Sequence, residues 1–152
     1  MIKEINFDSG KIVSAPPIKT GALSVFTQYP DRVIPLLDTI YDVKKEMEIS
    51  GYYCNTADTK LDIQISNHIR GDITNIAGGI SDALGPANKN WHSQASEYTK
   101  KMYDSRIYPM QPIGVIDDSM FSVLHVERVT SDSEWYSFQV SGRYDENFPR
   151  IQ

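Results

Sequence analysis

The stretch over residues 60–84 most constrains what this chain can fold into. It reads as one β-strand running directly into one amphipathic helix. Leu61, Ile63 and Ile65 alternate with Asp62, Gln64 and Ser66, the period of two that a half-buried strand requires. Past Gly71 the period changes. Ile73, Ile76, Ala77, Ile80 and Leu84 share one helical face, the pattern of a helix lying on a core. Asp72 supplies an N-cap, and Gly85-Pro86 supplies a stop. Gly78-Gly79 in mid-helix costs of order 1 kcal/mol per glycine relative to alanine. Such a pair fits a close approach by another backbone, or a kink.

The rest of the chain is placed around this unit. Ile2, Ile5 and Phe7 suit a brief strand, with Asp8-Ser9-Gly10 as a turn. Ser14-Ala15-Pro16-Pro17 is expected to be extended. Residues 1–21 are therefore read as an extended N-terminal arm, lying over the surface, reaching a partner, or simply a tail. Residues 22–145 form a single α+β domain, and residues 146–152 a polar C-terminal tail. Within the domain, residues 22–29 suit a strand. Residues 32–43 carry Leu36, Leu37, Ile40 and Tyr41 at helical spacing, with Pro35 in a first turn. Their β-branched Val33, Ile34 and Val43 pull toward strand, and the balance leans to a short helix. Residues 46–53 alternate as a strand, expected to form an antiparallel hairpin with residues 60–66. Trp91, Ala95, Tyr98 and Met102 place a second helix over residues 88–107. From Ser119 the period is two again. Leu124 and Val126 lie on one strand; Tyr136, Phe138, Val140 and Tyr144 lie on the next. The turn Thr130-Ser131-Asp132-Ser133 makes these a second hairpin. The fold class expected is α+β: an antiparallel sheet built from hairpins, with two helices packed on one face.

Motifs that carry chemistry are scarce. His68, His92 and His125 have no partner at metal-ligand spacing, and Cys54 is the single cysteine, so neither a zinc site nor an internal disulfide is expected. No base adjoins Cys54, so it reads as an ordinary thiol rather than a nucleophile. Asp117-Asp118 reads as a solvated loop. The glycines lack the Lys-Ser/Thr of a phosphate loop. A formal charge of −5 disfavours coating nucleic acid or an anionic membrane. No apolar run approaches the roughly 20 residues that span a bilayer, and the N-terminus lacks a secretory apolar core. The expectation is a protein made inside the cell that is not an enzyme, with no cofactor, no metal, no sequence-specific nucleic acid and no membrane contact.

One feature points outward. Tyr52, Tyr53, Trp91, Tyr103, Tyr108, Trp135 and Tyr136 fall outside the periodic core positions, and Arg106 lies among them in sequence. Tyr, Trp and Arg are enriched at protein–protein interfaces. Tyr52, Tyr53, Tyr103, Arg106, Tyr108 and Trp135 are therefore the interface candidates. The bland alternative, that half of these aromatics merely close a small core, stands beside it.

The ordered pattern resembles the tail-terminator and tail-completion (neck) proteins of long-tailed bacteriophages. It is carried by Leu61, Ile63 and Ile65; by Ile73, Ile76, Ile80 and Leu84; by the helix-closing Asp104-Ser105-Arg106-Ile107-Tyr108-Pro109; and by a final strand between Trp135 and Tyr144. The likeness spans about residues 45–145. It implies a virion protein, made in the host cytoplasm, that assembles with itself into a ring, usually a hexamer. Such a ring caps the tail tube, so the tail tube protein and the head-completion or connector protein are its implied partners. Two rival readings remain: a monomeric phage-encoded inhibitor of a host factor, and a small enzyme using Cys54 or a histidine.

Overall fold

The computed structural model describes residues 2–21, 25–46, 59–84 and 122–145. Its elements are strand β1 (Ile2–Asp8), helices α1 (Val25–Gln28) and α2 (Pro30–Glu46), strand β2 (Lys60–Ser66), helix α3 (Ile73–Leu84), and strands β3 (Val123–Val129) and β4 (Tyr136–Asp145). The fold is α+β, as its alternating periods imply. The four strands form one sheet in the order β1-β4-β2-β3. Helix α3 packs on β2 and β3, and α2 packs on α3.

The strand–helix unit forms as its sequence dictates. Leu61, Ile63 and Ile65 are fully buried. Asp72 caps α3, its carboxylate accepting from the Thr74 amide at 2.7 Å. A hydrogen bond from the Thr74 side chain, with the backbone bonds from Thr74 and Asn75, holds the Asp72 carboxyl below its usual range. Ile76, Ala77, Ile80, Ala83 and Leu84 form the buried face of α3. They join Val33, Leu36, Leu37 and Ile40 of α2, and Phe7, Tyr136, Phe138 and Val140 of the sheet, in one core. Phe7 and Phe138 stack with centroids 5.8 Å apart.

The pairing of strands departs from expectation. Strand β4 pairs antiparallel with both β1 and β2, whereas β2 pairs parallel with β3. Neither expected hairpin forms. Both edges of β2 are occupied, by β3 and by β4, leaving none for a strand from residues 46–53. Glu46 itself ends α2, and residues 47–53 lie outside the described residues. Strands β3 and β4 are separated by a turn-rich segment, yet β2 stands between them. The reason is visible in residues 130–135, which cross over the C-terminal end of β2. Asn67 N–H donates to the Val129 carbonyl at 2.8 Å, Ser66 N–H to the Trp135 carbonyl at 2.9 Å, and Ser66 Oγ to the Ser133 carbonyl at 2.6 Å. These bonds satisfy the backbone at the end of β2 only if the chain passes above it. A parallel neighbour, in turn, needs a long crossover, and α3 lies within that connection.

The N-terminal segment lies on the domain's own surface. Strand β1 is an edge strand registered along β4. Gly10, at φ 66, turns the chain, and Ile12 then exchanges two backbone bonds with Tyr136, at 2.7 and 3.1 Å. Pro16 and Pro17 are buried, and Lys19 N–H donates to the Asn75 carbonyl at 3.0 Å. Here the glycine pair finds its use. A Cβ on Gly79 would stand 2.1 Å from the Pro17 carbonyl oxygen, so the close backbone approach is the correct reading.

Residues 25–28 are helical rather than a strand. The Val25 N–H donates to the Asp82 carboxylate of α3 at 3.3 Å, and the Tyr29 amide returns to the Val25 carbonyl at 2.9 Å. A tertiary cap outweighs the β preference of Val25 and Phe26. Helix α2 then begins at Pro30, where a missing N–H is harmless. This places Pro35 inside the helix rather than in its first turn. The expected helix at residues 88–107 lies outside the described residues.

Candidate assembly surface

Strand β3 has no fully buried residue. Alternate residues of a strand face opposite sides. Register with β2 puts Leu124, Val126 and Arg128 on the helix side, and Val123, His125, Glu127 and Val129 on the other. The described helices leave its helix-side face partly open, and its other face is turned away from them. Leu124 remains 53% exposed and Val123 48%. Among the described residues no second strand pairs with β3. Among the described residues its outer N–H and C=O groups form the open row that edge strands present.

The strand is nonetheless held in place. Arg128 donates one guanidinium nitrogen to the Ile69 carbonyl and another to the Gly71 carbonyl at 2.8 Å. This fastens β3 to the turn between β2 and α3. On the opposite face Gln64 Nε2 donates to Glu127 Oε1 at 3.2 Å, and His125 Nε2 lies 3.6 Å from the other Glu127 oxygen. At the start of the pair, the Ser122 amide and hydroxyl both donate to the Thr59 carbonyl, at 2.9 and 3.0 Å. The surface is thus a braced strand with two apolar side chains outward.

Strand β1 occupies the far edge and pairs, among the described residues, with β4 alone. Following the pairings from β1 through β4 and β2, the strands β1 and β3 run in the same direction. The two edges of one molecule are therefore oriented for head-to-tail contact.

Of the interface candidates, Tyr52, Tyr53, Tyr103, Arg106 and Tyr108 lie outside the described residues, as do Trp91, Cys54 and His92. Trp135 is only 6% exposed. Its indole N–H donates to Ser131 Oγ at 2.7 Å, and the Lys11 ammonium covers its ring at 4.6 Å. Trp135 locks the crossing segment in place and offers little surface. Tyr136 is wholly buried. His68 sits in the turn after β2, bonded to the Ser131 carbonyl at 2.7 Å. The signal that could have exposed β3 in the sequence is the adjacent apolar pair Val123-Leu124. Two consecutive apolar residues in a strand put one on each face, so a one-sided core leaves one of them uncovered.

Among the described residues no group of three or more His, Cys, Asp or Glu side chains could hold a metal ion. No described helix is long and apolar enough to cross a membrane. No known protein family and no curated protein matches the chain.

Proposed function

We propose that this chain is a non-enzymatic assembly subunit that associates with copies of itself through its sheet edges, as a tail-terminator-like or neck ring of a long-tailed bacteriophage. The observation that carries the reading is the exposed, braced edge of β3, with Val123 and Leu124 open to solvent. Strand β1 runs in the same direction at the other edge. Adding the β1 of the next copy beside β3 is a heterologous contact, the kind that generates rings when its rotation closes. It adds main-chain bonds along an edge and covers the two half-exposed side chains, in the manner of strand addition. The phage assignment rests on the resemblance in the strand–helix unit and the final strand. In it the ring caps the tail tube and meets the head connector.

The test is the solution mass by light scattering, with electron-microscope class averages of the same sample, alone and mixed with tail tubes. Closed rings are the expected result, and Leu124→Lys should abolish them while leaving the circular dichroism spectrum intact. A monomer in both conditions would refute the reading. A ring unaffected by Leu124→Lys would refute the β3 edge as its contact.

A further inference from the structure

The backbone at the two open edges dictates how they meet. Val123 N–H donates to the Thr59 carbonyl at 3.4 Å, and the Val129 carbonyl accepts from the Asn67 N–H at 2.8 Å. Backbone groups of successive strand residues turn to opposite sides. Val123, His125, Glu127 and Val129 therefore turn theirs to β2, and Leu124, Val126 and Arg128 turn theirs to the open edge. On β1, the Ser9 N–H donates to the Phe138 carbonyl at 3.0 Å. In step with Ser9, Phe7 turns to β4, while Glu4, Asn6 and Asp8 turn outward. In a parallel pair an outward residue stands beside an inward residue and bonds to the two that flank it. Leu124, Val126 and Arg128 then stand beside odd-numbered residues of β1. The same phase puts Phe7 and Leu124 on one continuous face, and a slip of one residue would reverse it.

Side chains select among the registers that remain. Level pairing matches the seven residues of β1 to the seven of β3. It sets His125 beside Glu4, Glu127 beside Asn6 and Val129 beside Asp8. Glu4 and Asn6 are exposed. Asn6 accepts from Gln139 Nε2 through its oxygen at 2.7 Å, which leaves its amide nitrogen to donate to Glu127. A slip of two residues one way sets Glu127 beside Glu4, and a slip the other way sets it beside Asp8. Each opposes like charges directly, which destabilises a strand pair. The level register avoids both and gives His125 a carboxylate from the next copy.

We infer that copies of this chain join in the level register, with His125 of one copy paired to Glu4 of the next, and that protonation of His125 tightens the joint; this rests on the edge-to-edge assembly proposed for β3 and β1. His125 is otherwise faced by Glu127 at 3.6 Å on its own strand and by Asp62 beside it on β2. Asp62 is itself paired with the Lys60 ammonium at 3.4 Å. Arg143 is the register partner of Glu4 on β4. Histidine changes charge between about pH 5 and 8. Glu4 attracts the imidazolium and not the neutral ring, so the joined state holds the proton more firmly and association strengthens as pH falls through that range.

The test is the association constant of the full chain from pH 5 to 8 by analytical ultracentrifugation, in whichever condition gives rings, alone or on tail tubes. Glu4→Gln and His125→Gln should each weaken association about threefold per contact at the acid end, the scale of one exposed cross-strand pair, and change little at pH 8. The double variant should be no weaker than either single one. His125→Lys should hold the tight association at pH 8 and flatten the profile. Leu124→Lys reports the edge contact separately. Rings lost with Leu124→Lys yet indifferent to the Glu4 and His125 variants would overturn the register and leave the edge reading standing. Additive losses in the double variant would overturn the His125–Glu4 pair, and a chain that associates at no pH would overturn both readings.

Discussion

Replacing Gly79 with alanine sets two opposing effects against each other on one helix. Helix propensity favours alanine by about 1 kcal/mol. Against it, the new Cβ would lie 2.1 Å from the Pro17 oxygen, 2.5 Å from the Pro17 carbonyl carbon and 2.8 Å from the Ile18 nitrogen. All three are backbone atoms, so no rotamer change relieves the clash. Non-bonded carbon contacts settle near 3.5 Å, so the segment over α3 must lift by roughly 1 Å or more. That displacement strains the Lys19–Asn75 bond at 3.0 Å and the Lys19–Asp82 ion pair at 3.6 Å, and it parts the buried Pro16 and Pro17 from the helix. Overpacking of this kind costs about 2–4 kcal/mol, and a lost backbone bond about 1 more. Less the propensity gain, Gly79→Ala should destabilise by about 2–4 kcal/mol. Gly78→Ala provides the control, since its Cβ would meet Lys19 Cβ at 3.3 Å, which needs only a few tenths of an ångström. The propensity term then wins, and that variant should be stabilised by about 0.5 kcal/mol. Urea unfolding followed by circular dichroism measures both, with the difference read in the midpoint at constant slope. A Gly79→Ala protein as stable as the parent would refute the close approach of residues 16–19 to α3.

Further outcomes follow from buried and capping groups. Tyr136 is buried with its hydroxyl unpaired, so Tyr136→Phe should be neutral or stabilising by about 1–2 kcal/mol; a loss of more than 1 kcal/mol in urea would mean that the hydroxyl has a partner. Burial also raises the Tyr136 pKa above its ordinary 10.0, so its neutral form stabilises the fold below that pH and the stabilisation declines as pH rises past it, because the unfolded phenol ionises first. Thermal melts of parent and Tyr136→Phe between pH 9 and 11 should show the parent losing stability faster. Asp72 is shifted the other way, below 3.8. Its cap therefore contributes above the ordinary carboxylate range and is lost as pH falls through the lowered value. Asp72→Ala should lower Tm at pH 7, and the gap to the parent should close toward pH 2; a gap independent of pH would assign the loss to something other than the carboxylate bond to Thr74.

The strand–helix unit shows how far a sequence reaches. Period two over residues 60–66 and period 3.6 over residues 73–84, with Asp72 between, determined both elements and their inward faces. The mid-helix glycines fitted either a close backbone approach or a kink, and the structure shows the approach at Gly79; Tyr136, Phe138 and Val140 lie on the buried face their alternation assigned. These properties are local, because side-chain direction and capping depend on residues a few positions apart. Strand order is not local. Residues 130–135 look like a hairpin turn, and only the bonds from Ser66 and Asn67 lead them across β2, so that β3 and β4 flank it. The same crossover leaves β3 at the edge, with Val123 and Leu124 exposed, and folds Trp135 inward onto Ser131 and Lys11. Residues 25–28 became helical because Asp82, far along the chain, supplied the cap. Periodicity thus determined which faces of β2, α3 and β4 meet the core. Which edge meets which neighbour, and hence where the assembly surface lies, was decided by pairings between residues distant in sequence.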